Sequence, residues 1–194
     1  HYLVYSTYPL KPGDSCLVHA GAGGTGLFLI QTAKRAGAYV FATVSTEEKA
    51  AIAVDAGADK AIIYTKQDFE AEVKRDTGGL GVQVVYDAVG KTTFDGSLNC
   101  LARRGHLALY GQSSGAVDAF APTKFAGSSS VSRPSLMDYT ASREELVWRA
   151  GEVLSCVSSG ELKVRIGGTF PLADAAEAHR QLEGRLSTGK LLLI

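Results

Sequence analysis

Residues 15–44 constrain the fold more than any other stretch of the chain. A short β-branched run, SCLVH, leads into Gly21, Gly23, Gly24 and Gly26, then into helix-forming sequence and a second apolar run, YVFATV. Strand, tight loop, helix and strand make a βαβ unit, whose two strands pair in parallel through a right-handed crossover. The alternation continues along the chain. Strands are predicted at 60–64 (KAIIY), 82–89 (VQVVYDAV), 105–111 (GHLALYG) and 128–132 (SSSVS), with helices near 25–36, 46–55, 68–76 and 92–102. The strands read as continuous apolar runs, the pattern of a sheet buried on both faces. Gly37, Gly57 and Gly78 stand where helix C-termini favour a left-handed residue. The pattern predicts an α/β fold, a Rossmann-type doubly wound parallel sheet with helices on both faces. Beyond Tyr139, a helix near 142–158, a strand at 162–170, a helix at 173–184 and the terminal run 190–194 are expected to complete the same sheet, so that residues 1–194 form one domain. The Gly/Ser/Ala-rich stretch 111–131 is the most loop-like part.

Composition narrows the partners. Twenty basic residues balance twenty acidic ones, so nothing marks a nucleic-acid or membrane surface, and any phosphate handling must be local. Cys16, Cys100 and Cys156 lie far apart and form no CxxC pair or Cys/His cluster, which argues against a zinc site or a disulfide framework. A reducing, cytoplasmic setting is expected. No run reaches the length of a membrane span, and the opening HYLVYSTYPLKPGD lacks the basic and apolar regions of a leader. It also lacks an initiator methionine, and the chain is expected to be a piece of a longer protein.

The glycine loop carries the chemistry. Gly21, Gly23 and Gly26 match GxGxxG between a predicted strand and a predicted helix. The first glycine allows a tight turn, the second lets the backbone approach a pyrophosphate, and the third lets the helix pack on the strand. Free N–H groups and the helix dipole then hold the negative charge. The alternative is a tight turn with no ligand.

The second strand ends at Val44 and Ser45, with no carboxylate at its tip to hold a ribose 2′-hydroxyl. Glu48, three residues after Ser45, reads as the partner in a capping box. Lys49 opposes the dipole of the helix it begins, at a small cost that a 2′-phosphate would offset; otherwise it is an ordinary solvated lysine. Asp87 reads as a loop anchor, and His19, His106 and His179 as structural. Leu146, Val147 and Trp148 are expected to pack in the core. No tyrosine has a lysine four residues on, which disfavours a short-chain dehydrogenase, and the missing acid after the second strand disfavours a methyltransferase.

The stretches HAGAGGTG, TVSTEEK, VVYDAVG, RRGHLALYGQSSG, SRPSL and EGRLSTGKLLLI occur in this order over nearly the whole chain. Together they resemble the cofactor-binding half of the zinc-free quinone oxidoreductases of the medium-chain dehydrogenase/reductase superfamily, the group that includes zeta-crystallin. The resemblance implies that NADPH is the cofactor. Gly23, Gly24, Thr25 and Gly26 would hold its pyrophosphate, and Ser45, Lys49, Tyr64 and Arg185 its 2′-phosphate. Val89 would lie beside the ribose and nicotinamide, Tyr110, Gly111, Gln112 and Ser113 along the nicotinamide, and Arg133, Pro134 and Ser135 near its carboxamide. Thr25, Ser45 and Gln112 depart from the valine, glycine and asparagine frequent in the group.

The resemblance also implies a homodimer through the edge strand near 128–132, an N-terminal GroES-like domain before this segment, and a quinone or enone substrate bound between the two. No residue of this chain is expected to act as a general acid, and no metal ligand is expected. A nucleotide-binding or structural module without turnover, crystallin-like or RNA-associated, is the alternative. Fold does not decide between them.

Overall fold

The computed structural model describes residues 1–194 except 126 and 185. Six strands, β1 (Ser15–Val18), β2 (Tyr39–Val44), β3 (Lys60–Ile63), β4 (Val82–Asp87), β5 (Leu101–Leu109) and β6 (Ser130–Ser132), form one sheet in the order β3-β2-β1-β4-β5-β6. Every pairing is parallel. The chain winds outward from β1 in one direction and from β4 in the other, so the strand order reverses between these two neighbours. This is the doubly wound α/β arrangement read from the sequence, and a crevice opens at such a reversal beyond the strand C-termini.

The two faces of the sheet bury different sets of side chains, because successive residues of a strand point to opposite sides. Cys16, Val18, Val40, Val84 and Tyr86 pack with α1 (Gly24–Arg35) and α2 (Glu47–Asp55) on one face. Leu17, Phe41, Ile62, Val85 and Leu107 pack with α3 (Phe69–Asp76) and α4 (Phe94–Asn99) on the other. Gly37, Gly57 and Gly78 have φ of 82°, 105° and 58°, and each follows a helix end as expected. Helix α4 is shorter than the predicted 92–102. The peptide N–H of Val82 bonds the carbonyl of Cys100 at 2.8 Å, which draws the chain into β5 at Leu101.

The C-terminal elements depart from expectation. After α5 (Arg143–Ser158) come β7 (Ile166–Phe170), α6 (Ala175–Glu183) and β8 (Lys190–Leu193). β7 and β8 do not complete the large sheet; they pair with each other as a separate two-stranded parallel sheet. Two hydrogen bonds account for this. Gln31 in α1 accepts from the Lys163 N–H at 2.7 Å and donates to the Lys163 carbonyl at 3.1 Å, which holds the incoming chain against α1 rather than at a sheet edge. Gly189 then bridges to Gly23, its N–H reaching the Ala22 carbonyl at 3.0 Å.

Leu146, Val147 and Trp148 are exposed rather than in the core. The inward residue of this turn is Arg149, 6% exposed, which donates to the Tyr139 carbonyl and the Ser6 hydroxyl, both at 2.8 Å. A satisfied guanidinium therefore takes the place an apolar pattern would assign to leucine or tryptophan. Among the described residues no helix is long and apolar enough to cross a membrane.

Candidate functional site

The C-terminal ends of β1, β2 and β4 open onto a cleft of about 590 Å³. Gly23, Ser45, Lys49, Tyr64, Val89 and Ser113, six of the residues singled out in the sequence, line it. Its floor is the loop between β1 and α1. The left-handed residue of that turn is Ala20, with φ of 54°, and not a glycine. Gly21 is needed for another reason: a Cβ there would stand 2.8 Å from the Ala42 Cβ on β2. At Gly26 a Cβ would stand 2.3 Å from the Ala20 carbonyl oxygen, so the third glycine seats the helix on the loop as predicted.

Gly23 is the N-cap of α1, extended at φ −77° and ψ 168°. Among the described residues no side chain caps this helix, and its first turn holds no acidic residue. The first N–H groups of a helix have no acceptor within it. Gly23 and Gly24 put no Cβ over this turn, and the Gly189 carbonyl oxygen stands 3.2 Å from where a Gly24 Cβ would be. Gly24 and Thr25 themselves border a different cavity, of about 520 Å³, between α1 and the C-terminal segment. The Gly23–Gly189 bridge holds this stretch against the C-terminal segment, and of Gly23, Gly24, Thr25 and Gly26 only Gly23 is in the cleft lining.

At the tip of β2 the capping differs from the Ser45–Glu48 box read in the sequence. Thr46 is the N-cap of α2, its hydroxyl accepting from the Lys49 N–H at 3.2 Å. Extended backbone persists one residue longer than the pattern suggested, because Tyr64 N–H bonds the Val44 carbonyl and the Thr65 hydroxyl bonds the Ser45 carbonyl, at 3.0 and 2.9 Å. Ser45 is thereby held at the cleft as a strand-end residue, and Lys49 lies in the first turn of α2 beside it. Ser45 and Lys49 both line the cleft, and β2 carries no carboxylate at its tip.

Asp87 is fully buried and anchors the loop that follows β4. One carboxylate oxygen accepts from the N–H groups of Val89 and Gly90 at 2.7 and 3.0 Å; the other accepts from the hydroxyls of Thr93 and Ser97, both at 2.8 Å. His19 is also buried, with ring nitrogens 2.9 Å from the Thr43 hydroxyl and 3.0 Å from that of Ser97. Burial pushes its pKa down, against the opposing pull of Asp87. Both residues have the structural roles assigned from the sequence, although His19 also lines the cleft.

On the far side, two loops are zipped together. Ser113 and Ser114 N–H groups bond the Ala88 and Val89 carbonyls at 3.1 and 2.8 Å, and a Cβ at Gly111 would stand 2.6 Å from the Ala88 oxygen. Tyr110 packs against the core, and burial raises its pKa. With its amide oxygen turned to face the guanidinium, Gln112 accepts from both terminal nitrogens of Arg133, at 3.2 and 2.6 Å. Tyr110, Gly111, Gln112, Arg133 and Ser135 stand outside the cleft lining, and Arg185 lies outside the described residues. The lining further includes Phe69, Leu182 and Ser187, which the sequence reading passed over. Phe69 follows a helix cap like any core residue. Leu182 and Ser187 arrive from a segment more than 130 positions away from the glycine loop, with no local signal. Among the described residues no group of three or more His, Cys, Asp or Glu side chains could hold a metal ion.

The glycine cradle, the uncapped α1 and the Ser45–Lys49 pair fit a dinucleotide with a phosphorylated ribose, and the cleft volume falls in the range of small-molecule sites. Comparison with known proteins agrees with this geometry. Residues 56–193 match the zinc-binding dehydrogenase family. Quinone oxidoreductase 1 of Escherichia coli is 44% identical over 198 residues, covering all of this chain and 61% of that protein. A 2-haloacrylate reductase of Burkholderia is 41% identical, covering all of this chain and 59% of that protein. Among solved structures, a mycobacterial protein complexed with NADPH superposes with a TM-score of 0.96 at 49% identity, over all of this chain and 60% of that one. The E. coli quinone oxidoreductase complexed with NADPH gives 0.94 at 44% identity, over all of this chain and 60% of that one. The chain thus spans about 60% of the length of these relatives.

Proposed function

The chain belongs to the zinc-binding dehydrogenase family, in its quinone oxidoreductase group, and we propose that it is the NADPH-binding unit of a reductase acting on quinones or activated alkenes. The observation that carries this reading is the uncapped N-terminus of α1, across the cleft from Ser45, which follows β2 with no carboxylate at the strand tip, and from Lys49 in the first turn of α2. Relatives named for quinones and for 2-haloacrylate support the substrate class.

NADPH, when bound, supplies the hydride. The chain's own residues bind and orient it. N–H groups at Gly24, Thr25 and Gly26 take the pyrophosphate, and Ser45, Lys49 and Tyr64 take the 2′-phosphate. The zipped loops after β4 and β5, through Val89 and Ser113, shape the nicotinamide end. No side chain in the cleft is assigned to proton transfer, so the unit contributes placement of the reacting carbon. Substrate would bind between this unit and an N-terminal GroES-like domain. The edge of the sheet at β6 would pair with a second copy, since an unpaired strand edge is a pairing template. A cytoplasmic setting accords with this reading.

A fluorescence titration tests the cofactor assignment. NADPH should bind more tightly than NADH, because two charge-assisted hydrogen bonds of about 1.5–3 kcal/mol each amount to roughly a hundredfold or more. Lys49→Ala should remove at least tenfold of that preference. Equal affinities in the unsubstituted chain would instead assign the ribose to Glu47 or Glu48.

A further inference from the structure

Along the cleft wall runs a chain of hydrogen bonds, with Thr43, His19 and Thr93 in the lining and Ser97 and Asp87 behind it. It passes from the Thr43 hydroxyl to His19, from His19 to Ser97, from Ser97 to Asp87, and from Asp87 to Thr93 and the N–H groups of Val89 and Gly90. It crosses four elements: the end of β2, the end of β1, helix α4 and the end of β4. His19, Ser97 and Asp87 are each 1% exposed or less.

The direction of the chain follows from chemistry. A carboxylate only accepts, so the single hydroxyl proton of Ser97 goes to Asp87 at 2.8 Å. The Ser97 oxygen must then accept from the Nε2–H of His19 at 3.0 Å. That leaves His19 Nδ1 to accept from Thr43 at 2.9 Å. One tautomer of His19 satisfies every member, and Ser97 decides which.

The two ends of this chain hold the two sides of the cleft. His19 immediately precedes Ala20, the left-handed residue on which the glycine loop turns. Asp87 fixes the N–H groups of Val89 and Gly90, and so the loop assigned to the nicotinamide end. On the NADPH reading given above, we propose that Ser97 is a positioning residue for cofactor binding. The backbone already joins the two sides, through the His19 N–H on the Tyr86 carbonyl at 3.0 Å; the Ser97 hydroxyl adds the side-chain link that orients the His19 ring and the Asp87 carboxylate under the loop at the nicotinamide end. Ser97 is not among the cleft-lining residues. It acts through His19 and Asp87.

A ligand that spans both sides should feel the loss of this link, and one confined to the adenosine side should not. In Ser97→Ala, which removes the bonds to both His19 and Asp87, NADPH affinity should fall about tenfold. The affinity for 2′,5′-ADP, which carries only the phosphorylated adenosine end, should be unchanged. Val40→Ala, a core truncation at the opposite end of β2, controls for lost stability and should leave both affinities unchanged. Ser97→Thr, which keeps the hydroxyl, should recover NADPH binding. Equal loss for both ligands, an equal loss in Val40→Ala, or no loss in Ser97→Ala would overturn the proposal. Nitrogen-15 spectra of the imidazole give a test that needs no variant. His19 should be in the Nε2–H form, and the Nδ1–H form would overturn the proposal. Failure of the unsubstituted chain to bind 2′,5′-ADP and NADPH alike would instead remove the cofactor reading itself, and this inference with it.

Discussion

Helices α1 and α5 are the two longest in the molecule, and they begin in opposite ways. α5 closes its own N-terminus: the Ser142 hydroxyl accepts from the Glu145 N–H at 3.1 Å, and Glu144 and Glu145 stand in the first turn against the dipole. α1 starts on Gly23, with neither a capping side chain nor an acid, while Lys34 and Arg35 complement its other end. The sequence therefore optimises one end of α1 and leaves the other to be completed from outside. An N-terminus closed by its own side chains needs no outside acceptor, whereas an uncapped one leaves its first N–H groups to be satisfied by other parts of the chain or by a ligand.

The strongest way to break this comparison is Gly26→Val. Its Cβ would meet the Ala20 oxygen at 2.3 Å, so the loop must move, at a cost of roughly 3 kcal/mol or more. Urea unfolding should report that loss, and NADPH binding should disappear. Retained affinity would show that the open end of α1 is not the pyrophosphate site.

Gly23→Ser sharpens the point by separating binding from stability. The backbone at Gly23 is already extended, and a serine there can cap α1 from within. Stability should change by only a few tenths of a kcal/mol. NADPH affinity should drop about tenfold as the hydroxyl competes for the N–H groups. A serine variant that binds as well as the parent would mean that the ligand does not use them.

The strand end that leads into α1 also carries a response to pH. His19, buried just ahead of the glycine loop, has its pKa lowered by burial. Below about 6.5 the unfolded chain takes up a proton that the folded His19 resists. Stability from this group is therefore complete above that pH, and declines as pH falls from there to the lowered folded value, by at most about 1.4 kcal/mol per pH unit. Unfolding midpoints at several pH values should show this slope, and His19→Gln should flatten it. His106, whose pKa burial also lowers, will contribute a slope of its own.

The smallest effect is expected at the closed helix. Ser142→Ala should cost about 1 kcal/mol of stability and leave NADPH affinity untouched. A change in affinity there would tie α5 to the cofactor site and weaken the contrast.

Part of the cleft lining could be read from HAGAGGTG and TVSTEEK because those residues are close in sequence. A glycine loop between strand and helix places its N–H groups by sequence spacing alone, and a strand tip without a carboxylate is visible in one dimension. The cap of α2 was misplaced by one residue, from Ser45 to Thr46, because bonds from Tyr64 and Thr65 extend the backbone there. The inward face of α5 was misread for a similar reason. Arg149 is buried by partners at Ser6 and Tyr139, which no helical period can report.

The α/β class and its parallel, doubly wound sheet follow from local pattern. Buried apolar runs separated by helices can form only a parallel sheet. The tertiary structure alone decided that β7 and β8 stand apart from the main sheet, since Gln31 captures Lys163 across more than a hundred residues. It alone brought Thr43, His19, Ser97 and Asp87 into one hydrogen-bonded chain along the cleft wall. Each of those residues is ordinary in its own segment, and only the folded chain brings their polar atoms within hydrogen-bond distance of one another.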